Sequence, residues 1–177
     1  MTDTNLRTPL YGWHARHGAR FVPFGGWEMP VQYTGILDEH RATRTAAGLF
    51  DVSHMGEATV SGAQAALFLD YVATNRVGDL AVGRARYTLL CAPGGGVVDD
   101  IIVYRTGPQS FLLCLNAGNT PGDIAWLSAI VSGALSPYGS PTPSNRIATI
   151  AGITKASGLR GGAMKKPAIA VSSSGAA

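Results

Sequence analysis

The sequence predicts an α+β fold, on three observations. Two β-rich runs, residues 86–92 and 97–104, are separated by Pro93, Gly94, Gly95 and Gly96, which is the composition of a hairpin turn. Helical signals stand before and after this hairpin and mix with the strands without a regular βαβ rhythm. No strand–helix alternation suggests a parallel βαβ sheet, so antiparallel hairpins with separately placed helices are expected.

In chain order, Thr8 and Pro9 read as the cap and first position of a helix that Gly18 ends. Residues 21–33 hold Pro23, Gly25, Gly26 and Pro30 among aromatics, and are expected to form an ordered loop or broken strand. Residues 36–46 read as a polar helix with Glu39 and Arg41 near its middle and Gly48 as its cap. Residues 57–60 are strand-like. Residues 63–73 place Ala66, Leu67, Leu69, Tyr71 and Val72 at helix-compatible spacing before Asn75. Residues 111–115 give a third strand after the turn at Gly107 and Pro108. Thr120, Pro121 and Asp123 then open a helix through Trp126 and Leu127, with the acid in its first turn.

Charge divides the chain. Up to Leu127 there are nine arginines against eleven acids, a net of −2; from Ser128 onward Arg146, Lys155, Arg160, Lys165 and Lys166 stand without any acid, a net of +5. The overall +3 therefore belongs to the last fifty residues, and no basic, aromatic-interleaved face suggests nucleic acid. Those residues are rich in Ser, Gly, Ala and Pro and offer little apolar surface to offset the entropy of ordering. The organisation expected is a folded part at 1–127 and a tail at 128–177, largely disordered except for a short strand within 147–153. No apolar run approaches the length of a membrane span and the N-terminal residues lack the apolar stretch of a secretory signal, so a cytoplasmic protein with no membrane partner is expected. Cys91 and Cys114, in strand-like runs without CxxC spacing, read as reduced core residues.

Several chemistries are excluded by pattern. The glycine run lacks GxxxxGK[ST], no GxGxxG opens a helix, and no GxSxG is present. His14, His17, His40 and His54 form no HExxH pattern, so no metal is expected. Asp99 and Asp100 remain. Adjacent strand residues point to opposite faces, so the two carboxylates belong to different surroundings. Both faces of their strand are otherwise apolar (Val98, Ile102 and Tyr104 on one; Val97, Ile101 and Val103 on the other), which suggests a strand covered on both sides. A carboxylate there is paired, functional, or capping the glycine turn through backbone N–H groups.

Six stretches together resemble one family. They are "TPLY" at 8–11, "FGGWEMPVQY" at 24–33, "GLFDVSHMG" at 48–56, "YTLL" at 87–90, "GGVVDDIIVY" at 95–104 and "LNAGN" at 115–119. In this order and spacing they resemble the T-protein of the glycine cleavage system, an aminomethyltransferase, over residues 8–127. The resemblance implies part of that family's folate-binding domain. It implies transfer of a methylene carbon from the aminomethyl-lipoyl arm of H-protein to tetrahydrofolate, with release of ammonia. Tetrahydrofolate is then the cosubstrate and lipoylated H-protein the partner.

By position, the resemblance makes Asp100 the catalytic carboxylate and Met55, Tyr87, Tyr104 and Asn116 contacts to tetrahydrofolate. Beside these stand plain structural alternatives: Met55 as core, the tyrosines as strand packing, and Asn116 as the start of the turn at Ala117 and Gly118. His54 is expected in a hydrogen-bonded structural role. Family members continue well beyond Leu127, so a truncated chain with weak or no activity is expected. Two other readings are a non-catalytic folate-binding module related to iron–sulfur assembly factors, which typically carry a KGCYxGQE motif, and the folate domain of sarcosine or dimethylglycine dehydrogenases, which normally follows a flavin domain.

Overall fold

The computed structural model describes residues 5–132 and 152–155. They form two compact units, residues 5–54 and residues 55–132 with 152–155. The expectation of a disordered tail at 128–177 falls on residues outside the described ones, save 128–132 and 152–155.

In the first unit, β1 (Leu6–Arg7) lies parallel to β3 (Trp27–Gln32), which pairs antiparallel with β2 (Arg20–Phe24). Residues 21–33 are thus a regular hairpin, not the loop or broken strand expected from their prolines and glycines. Gly25 and Gly26 are the two loop residues between the paired Phe24 and Trp27, at φ of 56° and 83°, the left-handed backbone a tight hairpin turn needs. The prolines are tolerated because neither interrupts a central ladder: Pro23 is on the edge strand β2, and Pro30 lies past the end of the two-residue β1. α1 (Tyr11–Arg16) is capped at Leu10, not Thr8, whose carbonyl accepts the Tyr11 amide at 3.0 Å; Gly18 at φ 76° ends the turn as expected. α2 (Ile36–Thr45) ends on Ala46, not Gly48.

The second unit holds a five-stranded sheet in the order β5–β6–β7–β4–β8, with every pairing antiparallel. Its strands are β4 (Gly56–Ser61), β5 (Ala85–Cys91), β6 (Val97–Gly107), β7 (Ser110–Leu115) and β8 (Gly152–Lys155). α3 (Ala65–Val72) and α4 (Thr120–Val131) complete it. The β5–β6 hairpin turns where the glycine run predicts, closed by the Ala92 amide on Gly96 O at 2.8 Å. α4 runs four residues past the expected Leu127, because Ile130 continues its buried face.

Strand alternation sorts the sheet into two unlike faces. On one, Ala58, Val60, Leu90, Ile101, Val103, Phe111, Leu113 and Leu115 pack with Phe68, Leu69 and Val72 of α3 and with Leu127 and Ile130 of α4. On the other, Tyr87, Asp100 and Tyr104 are exposed and Ile102 and Cys114 half-buried, while Val98, at the irregularity between Leu90 and Cys91, packs against the core. The expectation that β6 is covered on both sides is therefore corrected: among the described residues, both α3 and α4 join the core on one face only. Cys91 and Cys114 are free and half-buried, and not part of that core.

The start of β4 meets the start of α4 so closely that a Cβ on Gly56 would overlap the Thr120 side chain, with Thr120 Cγ2 at 2.6 Å. Overpacking of this kind typically costs about 1–3 kcal/mol. Gly56→Ala is expected to lower unfolding stability by that amount, read as a lower urea midpoint at unchanged slope; a midpoint equal to wild type would contradict the packing described.

Candidate functional site

β6 presents its two adjacent aspartates to opposite sides. Asp99 is 2% exposed, while Asp100 emerges on the open face. Neither caps the glycine turn, which closes on its own backbone. The donors to Asp99 come from the connection between β7 and α4. Asp99 Oδ2 accepts the Asn116 amide at 3.1 Å, and Oδ1 accepts Asn116 Nδ2 at 3.0 Å and Asn119 Nδ2 at 2.7 Å. A fourth partner is the carboxyl of Asp123, 1% exposed in the first turn of α4. Asp123 was expected there as a complement to the helix dipole; its side chain instead turns inward.

Two buried carboxyls in contact cannot both ionise cheaply. Burial, then the hydrogen bond and charge of Asp99, push Asp123 up to about 7. Burial also opposes the charge on Asp99, but the hydrogen bonds of Asn116, Asn119 and Asp123 outweigh it and hold Asp99 below its ordinary value. Below pH 7 the pair carries one proton, on Asp123, which donates to Asp99.

Asn116 links this buried pair to the open face. Its Nδ2 donates to Asp100 O at 3.0 Å and to Asp100 Oδ1 at 3.1 Å as well as to Asp99. Its carbonyl accepts the amides of Asn119 and Thr120, both at 3.0 Å, so Asn116 also starts the turn expected of it. Asp100 pairs across the ladder with Leu89, which places it diagonal to Tyr87, and the Tyr87 hydroxyl donates to its carboxylate. Desolvation, then the charge and hydrogen bond of Asp100, hold the Tyr87 phenol above its ordinary value.

Of the five residues singled out from the sequence, Asp100, Tyr87 and Asn116 thus form one hydrogen-bonded group. Tyr104 shares their face but lies four residues along β6, roughly 13 Å away by strand rise. Met55, half-buried, precedes a strand whose first residue pairs with Leu115, so it leaves the sheet at the same end as Asn116.

Residues 10–153 match the family described as the GCVT N-terminal domain. The chain belongs to this family. Over 128 residues it is 55% identical to an aminomethyltransferase of Symbiobacterium thermophilum, covering 72% of this chain and 34% of that protein. Over 127 residues it is 54% identical to one of Geobacillus kaustophilus, covering 72% and 35%. The solved glycine cleavage system aminomethyltransferase T of Bartonella henselae superposes with a TM-score of 0.69 at 41% identity, covering 72% of this chain and 36% of that one. The chain spans about a third of the length of the relatives it matches.

The first unit of this GCVT-family chain holds a second buried network that its sequence pattern did not reveal. His14, 5% exposed, contacts Tyr33 Oη through Nδ1 at 2.5 Å and Asp51 Oδ2 through Nε2 at 2.9 Å. Asp51 Oδ1 accepts the Ser53 hydroxyl at 2.5 Å and the Ser53 amide at 3.0 Å. Its partners are 19 and 37 residues from His14, so no local spacing announces them. The expectation of a hydrogen-bonded histidine fell instead on His54, whose buried Nδ1 has no partner and whose ring meets Phe24 edge-on. A cavity of about 680 Å³ between the end of α3 and the β5–β6 turn, lined by residues including Asp70, Arg76 and Cys91, contains none of the five. Among the described residues, no group of three His, Cys, Asp or Glu converges as metal ligands would, and no helix is long and apolar enough to cross a membrane.

Burial raises the Asp51 carboxyl, but the hydrogen bonds from Ser53 and His14 win and hold it at about 2. A carboxyl held lower in the folded chain than its ordinary 3.8 contributes stability above about pH 4, and that contribution is lost as pH falls through 2. At ~1.4 kcal/mol per pKa unit this is about 2 kcal/mol. Urea unfolding between pH 6 and pH 2 is expected to show Asp51→Asn losing less stability on acidification than wild type by that amount; parallel losses would exclude the effect.

Proposed function

We propose that the open face of the second unit is one wall of a tetrahydrofolate site, and that the chain belongs to an aminomethyltransferase of the glycine cleavage system. On this reading a lipoylated H-protein delivers the aminomethyl group, its carbon passes to tetrahydrofolate and ammonia leaves. The observation that carries the proposal is Asp100. It is a carboxylate on an otherwise apolar, exposed face, held by the Asn116 amide and the Tyr87 hydroxyl. A folate amine that attacks the methylene carbon gains positive charge. A fixed carboxylate accepts its hydrogen bond and steadies that charge, without reorganisation at the moment of reaction. Leu89 and Ile102, half-buried beside Asp100, give a flat ring an apolar surface to rest on.

Within this reading Asn116 both orients Asp100 and faces the folate, Tyr87 flanks the reacting end, Tyr104 contacts a more distant part of the ligand, and Met55 packs against it from the start of β4. The aminomethyltransferases among its relatives support this over a folate module that transfers no carbon. With Asp100 and Tyr87 open to water, this wall alone leaves the charge poorly shielded, so turnover by the chain by itself is proposed to be weak.

The test is transfer from aminomethylated H-protein to tetrahydrofolate by the full-length Symbiobacterium thermophilum relative, with the aspartate aligned to Asp100 changed to asparagine. Removing a preorganised charge-stabilising group is expected to lower kcat by at least ~10²-fold. Activity within threefold of wild type would exclude Asp100 from the chemistry. Tetrahydrofolate binding by the 177-residue chain, measured by calorimetry, is expected to weaken on Asp100→Asn.

A further inference from the structure

We propose that Asp99 is a positioning residue: anchored from below by Asp123, it holds Asn116 so that the Asn116 amide grips Asp100 on the opposite face of the strand. The inference rests on the reading of Asp100 given above, and extends it to two buried acids that touch no ligand.

The geometry is that of a relay through one side chain. Asn116 Nδ2 reaches Asp99 Oδ1 at 3.0 Å, Asp100 O at 3.0 Å and Asp100 Oδ1 at 3.1 Å. An amide with two N–H groups shared among three acceptors has no preferred orientation of its own. What fixes it is the main-chain N–H of the same residue, which donates to Asp99 Oδ2 at 3.1 Å. Asp99 thus grips Asn116 by backbone and side chain together, and the amide plane follows from that bidentate hold. Asn119 adds the shortest contact, 2.7 Å, and ties the start of α4 to the same carboxylate.

Asp123 completes the arrangement. Below about pH 7 it holds a proton and donates to Asp99, while its other oxygen is buried without a partner. A residue selected only to cap α4 would gain from exposure to the amides of the first turn; one buried against another carboxylate gains only as a proton donor. Around the pair, Asn116 and Asn119 do not titrate, and Asp100 and Tyr87 lie across the sheet on the open face. The pair binds nothing itself. It sets where Asp100 stands.

Tyr87 supplies a readout that needs no folate, because its phenol is raised in part by Asp100. The 177-residue chain labelled with [13Cζ]tyrosine is titrated by NMR, with Tyr87→Phe assigning the signal. In wild type Tyr87 is expected to titrate above the ordinary value of about 10, and Asp100→Asn to lower it by removing the carboxylate's share of that rise. Asp99→Asn is expected to do the same with Asp100 still present, because the released Asn116 no longer holds the carboxylate at the hydroxyl. Asn116→Ala, which removes the amide that links Asp99 to Asp100, is expected to lower the Tyr87 value as well.

A folded Asp99→Asn, with wild-type circular dichroism and an unchanged Tyr87 titration, would overturn the proposal. Should Asp99→Asn not fold, equal titrations in Asn116→Ala and wild type would overturn it instead. Calorimetry with tetrahydrofolate separates the two readings. Asp99→Asn is expected to bind about tenfold more weakly, with Asp123→Asn within twofold of wild type. If wild type binds no tetrahydrofolate while Tyr87 responds as described, the positioning role stands and the folate reading fails.

Discussion

Asp99 is an ionised carboxylate in the apolar layer between a sheet and two helices, and the second unit is arranged around satisfying it. A bare charge in such a place costs many kcal/mol. Four donors offset that cost here, two from Asn116, one from Asn119 and one from Asp123. All three residues lie in the connection from β7 into α4 or in the first turn of that helix. Satisfying one carboxylate on β6 therefore fixes where β7 hands over to α4, and how Asn116 is presented at the end of the sheet.

That constraint explains why a single strand can serve core and site at once. The pleat of β6 sends Asp99, Ile101 and Val103 into the core and Asp100, Ile102 and Tyr104 to the opposite face. Rigidity on the first side is transmitted to the second across one backbone unit and one amide. Orientation of a charged group is worth little unless the group is held within a fraction of an ångström. Asp100, on an exposed face, obtains that restraint from beneath. Close packing of Gly56 against Thr120 reinforces it by locking the start of α4 to β4.

The central hairpin was legible in the sequence because its signals are local. Pro93 to Gly96 could only be a turn, and the runs beside it are rich in β-branched and aromatic residues. That Asp99 and Asp100 point to opposite faces followed from parity alone, but not that the Asp100 face is open, because both faces carry apolar residues. The β2–β3 hairpin was misread because Pro23 and Pro30 look like breakers until the pairing shows that both avoid a central ladder. Asp123 carried the sequence signature of a helix-dipole acid, and nothing local tells an outward carboxylate from an inward one. The His14–Tyr33–Asp51 contacts were out of reach for the same reason: they join residues brought together only by tertiary folding. Motif order identified the family; the buried partners of the motif residues required coordinates.

The dependence on Asp99 can be read directly from carboxyl 13C shifts of aspartate-labelled chain followed from pH 3 to pH 9. One aspartate should titrate near pH 7 and vanish in Asp123→Asn, while a second, besides Asp51, stays ionised below the ordinary aspartate value and loses part of that depression in Asn119→Ala. If every aspartate instead titrated between about 3 and 5, the buried proton-sharing pair would not exist and the site would have to be held some other way.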